Sequence, residues 1–490
     1  MASTSTPGVS LSTGVDDILT RYSKIAPASV ALITDAGEHT FMELLDRAKA
    51  TSTQLIPGTR VVIRMANDAA SVAAIHGAWL AGCSVVAASS MVPDSEVSRR
   101  TSVTGASATL TPTSAGDLSV SVEMTGVEQS APESEAVVMF TSGTTGIPKG
   151  ASLTFAALRG SLGGIASGAG FSEQGRPPRT PARGPRLVLV PIAHMGGFLG
   201  SLTAWWLGKP ALLAKKFSAQ RVLDYARRYP IGVLAMTPAM VWELTQLPGS
   251  PELPGVHSAT VGTAALPEAT RVAFEAKFGI PVLRNYGQTE FAGAVAFERQ
   301  SDVVAGRRPV GTVGRIAPGV EVAILDDGDT ALPIGEVGEI AARAASAMSG
   351  YLDSRGRPIR TEGWLRTGDL GKVDEEGFVY VVGRVRDMVV CGGFNVYPAQ
   401  VEAALNEQPQ VADSAVTGIP DERLGEVPVA AVVLSAGSVA ESDAIREQLR
   451  ARLAPYEIPR RIVFVEAIPR HDTGKVDRDA VARVVDGAAE

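Results

Sequence analysis

Ala136-Val137-Val138-Met139-Phe140-Thr141-Ser142-Gly143-Thr144-Thr145-Gly146-Ile147-Pro148-Lys149-Gly150 is the stretch on which the reading of this chain turns. An apolar, β-branched and aromatic run that breaks into hydroxyls and glycines predicts a buried strand ending in a tight loop. Gly143, Gly146 and Gly150 permit φ > 0 and close approach of backbone N–H groups to a ligand. Thr141, Ser142, Thr144 and Thr145 offer hydroxyls and Lys149 an ammonium, all able to donate to phosphate oxygens. The spacing is not that of the P-loop, which sets Gly and Lys side by side ahead of a helix; here Ile147-Pro148 separates Gly146 from Lys149. A functionless Ser/Thr/Gly-rich surface loop is the bland alternative, and ten residues in this order argue against it.

Outward from this stretch, strands and helices alternate. Towards the N-terminus, Ile18, Leu19 and Tyr22, then Phe41, Leu44, Leu45 and Ala48, recur at helical spacing around an alternating segment at 29–34. A strand at 61–63, a small-residue helix at 69–82 and a strand at 84–88 predict a parallel βαβ unit. Residues 101–135, rich in Ser, Thr and Gly, predict short strands and loops. Towards the C-terminus, a helix at 154–169 precedes 172–186, a Pro/Arg/Gly-rich segment without period that reads as an exposed loop. Strands at 187–190, 211–213, 232–235 and 259–262 then alternate with helices at 220–228, 239–247 and 268–278. The fold class predicted is α/β, a large doubly wound domain with ligands beyond the carboxyl ends of its strands. Gly-punctuated strands after Gly311 predict a β-subdomain, and the pattern after Met388 predicts a small α+β domain.

The composition agrees with this division. A chain of 490 residues exceeds a single core, and 45% hydrophobic with 20% charged residues is the make-up of a globular enzyme. We expect a short disordered tail at 1–14, a large domain at 15–383, a hinge at 384–386 and a small mobile domain at 387–490. The net charge of −7 argues against nucleic acid as a partner. Cys83 and Cys391 stand alone, which excludes a disulfide framework and a cysteine metal cluster and suits a reducing cytoplasm. The first residues lack the basic and apolar regions of a secretory signal. The longest apolar stretch, 197–213, is broken by Lys209 and Pro210, so membrane insertion is not expected.

The segment from Thr141 to Gly150 resembles the phosphate-binding motif of the adenylate-forming superfamily, which includes acyl-CoA synthetases, peptide-synthetase adenylation domains and firefly luciferase. Further resemblances follow in family order. Asn285-Tyr286-Gly287-Gln288-Thr289-Glu290 is similar to the adenine and magnesium motif. It implies a ring face on Tyr286 for adenine, a Thr289 hydroxyl for the α-phosphate and a Glu290 oxygen for Mg²⁺. Gly262-Thr263-Ala264 resembles a second adenine-binding turn. Asp369, in Trp364-Leu365-Arg366-Thr367-Gly368-Asp369, is implied to accept from both ribose hydroxyls, with Arg384 beside it. His194 is assigned to acid binding or gating, Gly392 and Gly393 to a pantetheine channel, and Lys475 to the catalytic-lysine motif near the chain end. Arg386 stands at the expected hinge, where relatives usually have Asp or Lys. Relatives often carry His and Asn early in the helix after the phosphate loop; Phe155 and Ala157 here imply an altered wall of the acid pocket.

The resemblance implies an AMP-forming acid–thiol ligase using ATP, Mg²⁺ and coenzyme A on a small-molecule carboxylic acid. Uncharged walls at Met195, Phe198, Met236, Thr237 and Met240 point to an apolar acid. The alternatives are an amide ligase or adenylation enzyme with another acceptor and, from a different class, a silent nucleotide- or acyl-binding protein. An amino-acid adenylation enzyme would be expected to offer an Asp for the α-amine, and His194-Met195-Gly196 offers none.

Overall fold

The structure, a computed structural model, describes residues 14–112, 120–127, 129–141, 148–168, 184–352, 360–361, 363–470 and 475–487. Two large mixed sheets form the N-terminal domain. In the nine-stranded sheet, strands Val30–Thr34, Arg186–Val188, Ala211–Leu213, Val233–Met236, Ser258–Val261 and Val282–Gln288 run parallel. In the seven-stranded sheet the parallel core is Arg60–Met65, Ser84–Ser89, Ala108–Pro112 and Glu135–Thr141. Lys149–Thr154 and Val120–Met124 add antiparallel strands to it.

The alternation of side chains along each strand builds three helical layers. Val61, Ile63, Val85 and Ala87 enter the main core, whereas Val62, Val86 and Ala88 enter a separate cluster with Val97 of helix Asp94–Thr104. In the other sheet Leu32, Ala211 and Leu213 face the main core, and Ile33 and Leu212 face helices Ala219–Arg228 and Glu268–Phe278. The helices between the sheets must therefore be apolar on both sides. Helix Ala69–Leu80 is buried at every position but its last, as a helix clasped by two sheets should be.

Most predicted strands and helices fall within a few residues of those observed, but the expected single sheet is divided into two. Periodicity along a strand identifies a buried strand without naming its neighbours. Thus Val30–Thr34 joins the distant Ala211–Leu213, with Leu32 opposite Ala211, rather than Arg60–Met65. The weakly patterned residues 101–135 begin inside helix Asp94–Thr104, which ends on Gly105 at φ 61°. Of the expected loop 172–186, residues 172–183 lie outside the described residues, and Arg186 opens a strand. The apolar stretch 197–213 is the core helix Met195–Trp206 plus a strand. Among the described residues no helix is long and apolar enough to cross a membrane.

A five-stranded antiparallel subdomain follows, including Val320–Leu325, Gly338–Ala344, Trp364–Val373 and Val379–Arg384. The smaller C-terminal domain has its own core, built from residues at or beyond Val389. Helices Pro398–Asn406, Ser442–Leu449 and Arg478–Gly487 there accompany a sheet centred on the antiparallel pair Val411–Asp421 and Gly425–Leu434.

One buried ion pair ties the seven-stranded sheet together. Arg60 donates through Nε and a terminal nitrogen to the two oxygens of Glu135, at 2.7 and 3.2 Å, and Ser152 Oγ donates to the same carboxylate at 2.6 Å. The two side chains are 10% and 2% exposed. Replacing Arg60 by Met should destabilise the domain by about 3 kcal/mol or more, because Glu135 is left as a buried charge without its guanidinium. Arg60→Met with Glu135→Gln should recover part of that loss in denaturant titrations; no recovery would mean the pair is not the source.

Candidate active site

A cleft of about 3170 Å³ opens between the large and small domains. That is several times the volume of a single small-molecule pocket, so more than one ligand group can be held at once. Its floor is a face of the nine-stranded sheet. Val233, Ala235, Ser258, Thr260, Leu283 and Asn285 line it, while the intervening Leu234, Ala259 and Val282 pack on the outer helices.

Asp369 is the hub of the site. It lies on strand Trp364–Val373, not in a turn, directly opposite Arg384 of the adjacent strand. Arg384 Nε forms an ion pair with Oδ1, 2.9 Å away. Tyr286 Oη and Gln288 Nε2 donate to Oδ2 at 2.8 and 2.6 Å, and Gln288 also reaches the Thr367 carbonyl at 2.8 Å. Burial and the Asp369 charge push the Tyr286 hydroxyl far above its ordinary range, which keeps it a donor. With Oδ2 doubly filled, the carboxylate keeps its acceptor capacity on Oδ1. The free acceptor capacity for ribose hydroxyls is therefore on Oδ1, the oxygen paired with Arg384.

The motif holding Tyr286 is more ordered than the loop expected. Val282–Gln288 is a continuous strand, and only Thr289–Phe291 turns away as a short 3₁₀ segment. Gly287 is required there because a Cβ would sit 2.0 Å from the Gly293 carbonyl oxygen across the hairpin. Gly262 likewise gives way to Asn285, whose Oδ1 would lie 2.2 Å from a Cβ. Thr263 beside it has φ 73°, a strained conformation for a β-branched residue and a common mark of functional turns. Gly262, Thr263, Ala264, Thr289 and His194 all line the cleft.

Glu290 accepts from Tyr351 Oη at 2.7 Å. Burial and the Glu290 charge raise the Tyr351 hydroxyl well above its ordinary range. Lys149 Nζ sits 5.5 Å from the Tyr351 ring centroid, and Lys149 pairs with Thr141 across the hairpin that carries the phosphate-type loop. Tyr351 was not singled out from sequence, where a lone Tyr after Gly350 carries no signal. Ser142, Gly143, Thr144 and Thr145 lie outside the described residues. Gly150 has no positive φ; it is a strand residue whose missing Cβ leaves room for Val138 Cγ1, at 3.0 Å.

From the small domain, Lys475 enters the cleft. Burial, then the Arg384 and Arg386 charges, lower its ammonium below the ordinary lysine range against the opposing pull of Glu290 and Asp369. Lysine, two carboxylates and an arginine from four separate elements thus line one cleft, near enough to act on one another's charge. Gly392 and Gly393 do not join them: they form a turn at φ 59° and 86° whose backbone faces Leu424, away from the cleft lining. Of the expected acid-pocket walls, Met195, Met236, Thr237 and Met240 line the cleft. Phe198 does not. It is 1% exposed and packs edge-on to Trp79 at 6.0 Å, because it points to the inter-sheet side of its helix.

A two-sheet α/β domain closed by a small domain whose lysine enters the shared cleft is the architecture of nucleotide-dependent acid-activating ligases. Residues 19–352 match the family described as AMP-binding enzyme, and residues 400–475 match the AMP-binding enzyme C-terminal domain. The chain belongs to this family, within the adenylate-forming superfamily and its acyl-CoA synthetase branch. It is 34% identical to indoleacetate–CoA ligase of Aromatoleum aromaticum over 73% of this chain and 68% of that protein. The structure of o-succinylbenzoate CoA synthetase from Bacillus subtilis, 26% identical, superposes with a TM-score of 0.80 over 94% of this chain and 97% of the other. An amide bond synthetase from Marinactinospora thermotolerans, 27% identical, superposes with a TM-score of 0.81 over 96% and 99%.

Proposed function

We propose that the protein activates a carboxylic acid with ATP and passes the acyl group to coenzyme A, giving acyl-CoA, AMP and pyrophosphate. The observation that carries the reading is the meeting of Lys475 with Glu290, Asp369 and Arg384 in one cleft. A carboxylate is a poor acyl donor because oxide would have to leave. Attack on the ATP α-phosphate forms a P–O bond to the acid and breaks the bond to pyrophosphate, and the resulting acyl-AMP has AMP as a good leaving group.

In this reading Tyr286 and the Gly262–Ala264 turn hold adenine, the Oδ1 side of Asp369 takes a ribose hydroxyl, and Thr289 meets the α-phosphate. Thr141, Lys149 and the loop between them hold the departing pyrophosphate. Lys475 offsets the charge that develops between carboxylate and phosphate. Among the described residues no cluster of three His, Cys, Asp or Glu could cage a metal, but Mg²⁺ is ordinarily held by one or two carboxylates plus phosphates, and Glu290 fits that need. Bound there it would supply neutralising charge to the polyphosphate. In the second step a thiol replaces AMP. We assign this to a second docked orientation, reached by rotation about residues 384–386, with Gly392 and Gly393 turned towards the thiol.

Met195, Met236 and Met240 support an apolar acid, since methionine adapts to aliphatic and aromatic shapes alike. The curated relative named for indoleacetate and the structural neighbour named for o-succinylbenzoate support an aryl acid. A panel of acids with ATP, with and without coenzyme A, should give pyrophosphate from medium-sized apolar acids and acyl-CoA by mass. A higher kcat/KM for acetate or a free amino acid than for every apolar acid would refute the pocket assignment. The amide synthetase neighbour motivates an amine arm in the same panel; amide in place of thioester would move the acceptor from coenzyme A to an amine.

A further inference from the structure

The cleft continues past the reacting groups as a channel along helix Met195–Trp206. One stripe of that helix, Gly196, Leu199, Gly200, Thr203 and then Leu207, lines it at spacings of three and four. The opposite wall is Gly232, Val233 and Ala235, with Ser258 and Thr260 beside them. Gly196 and Gly200 leave ordinary contact room to Val190 and Val188, and the His257 ring lies against Gly232. Its inner end lies at the start of the parallel strands, where Arg186 and Lys209 both line it. Val190 at the mouth is four residues from Arg186, of which Arg186–Val188 is strand, so the span is at most ~13 Å at ~3.3 Å per residue.

Several arginines of the cleft are held by carboxylates. Arg284 is bound to Glu298 at 2.8 Å, Arg384 to Asp369 at 2.9 Å and Arg478 to Glu402 at 2.7 Å. Arg186 makes a backbone hydrogen bond to the Pro210 carbonyl, yet its Nε is enclosed without a partner, and among the described residues no carboxylate acts on it or on Lys209. Burial lowers both, and the Arg186 charge lowers Lys209 further. Two like charges partly withdrawn from water, with no carboxylate opposite them among the described residues, are unfavourable unless an anion lies between them. A planar guanidinium beside an ammonium suits a carboxylate.

Resting on the acid-activation reading, we propose that the acid this protein activates carries a second anionic group, a carboxylate, at the far end of its tail, and that Arg186 and Lys209 bind it. The channel length sets the separation of the two carboxylates, and the mainly apolar walls set what lies between them.

The test is ATP–pyrophosphate exchange without coenzyme A, so that no coenzyme phosphate competes for the cations. Linear α,ω-diacids of increasing length are compared with monoacids of equal length. The wild type should prefer the diacid at one length, with the preference falling about tenfold in Arg186→Met and in Lys209→Met. The loss should appear in KM for the diacid, with monoacid turnover retained, which also shows that the variants are folded. Arg186→Lys should keep part of the preference. Equal use of monoacids and diacids by the wild type, or a preference unchanged in both variants, overturns the proposal while leaving acid activation standing. If no acid supports exchange, the acid-activation reading fails instead. Calorimetric titration of the diacids then decides the anion site alone, supported by binding that Arg186→Met abolishes and overturned by its absence.

Discussion

Lys475→Ala should slow acyl-AMP formation by roughly 10²-fold or more, the scale of losing one preorganised electrostatic donor, while ATP affinity stays nearly intact. The second half of this expectation follows from the position of the ammonium. Lys475 is partly desolvated and lies near Arg384 and Arg386 as well as Glu290 and Asp369. Its ground-state attractions are therefore opposed by like charges, and removing it relieves repulsion as well as attraction. Charge that appears only as the carboxylate attacks phosphorus has no such offset. Chemically supplied acyl-AMP should still be converted to acyl-CoA, because in the proposed mechanism that step uses the other docked orientation. Isotope exchange, ATP titration and thioester formation from acyl-AMP separate the three quantities. A lysine that is merely a solvated charge predicts no change in any of them, and a uniform loss in both half-reactions indicates a misdocked small domain.

How far the sequence anticipates this site depends on what each signal reports. Motif order assigns Tyr286, Gln288, Glu290 and Asp369 to one site, and all four line the same cleft although Asp369 is far from the others in the chain. Their mutual bonds are not legible: that Tyr286 and Gln288 fill one Asp369 oxygen depends on a strand pairing that places Asp369 opposite Arg384. Tyr351 reaches Glu290 only because Gly350–Tyr351 pairs with the strand after the phosphate-type loop, with Tyr351 opposite Ala151. No local pattern records that. Composition misleads at Arg186, where a Pro/Arg/Gly-rich run hides the first residue of a buried strand. Phe198 fails for a related reason. Residues three and four apart share a helix face, and Phe198 lies off the Gly196, Gly200, Thr203 stripe that lines the cleft. The division of strands between two sheets is the largest feature that local period cannot reveal, since a strand buried on both faces looks the same in either sheet.

The connection between the domains supports a prediction in which two neighbouring prolines have opposite consequences. Val385–Asp387 forms a single 3₁₀ turn, entered from Arg384 in extended conformation at φ −119° and ψ 143°. Proline prefers the first position of a helical turn and holds the preceding residue extended. Val385→Pro therefore matches the backbone seen here, with Lys475 in the cleft, and opposes any rotation that changes φ at Val385 or moves Arg384 out of the extended region. Adenylation should be retained while thioester formation falls roughly 10- to 10²-fold, the effect of the 1–3 kcal/mol that a disfavoured backbone conformation costs. Arg386→Pro acts the other way. It drives Val385 out of the helical region that the turn requires, so the orientation holding Lys475 in the cleft is weakened and adenylation itself falls. Single-turnover rates for the two half-reactions distinguish the variants. If both prolines depress both steps equally, the rotation is absorbed elsewhere and residues 384–386 are only a linker.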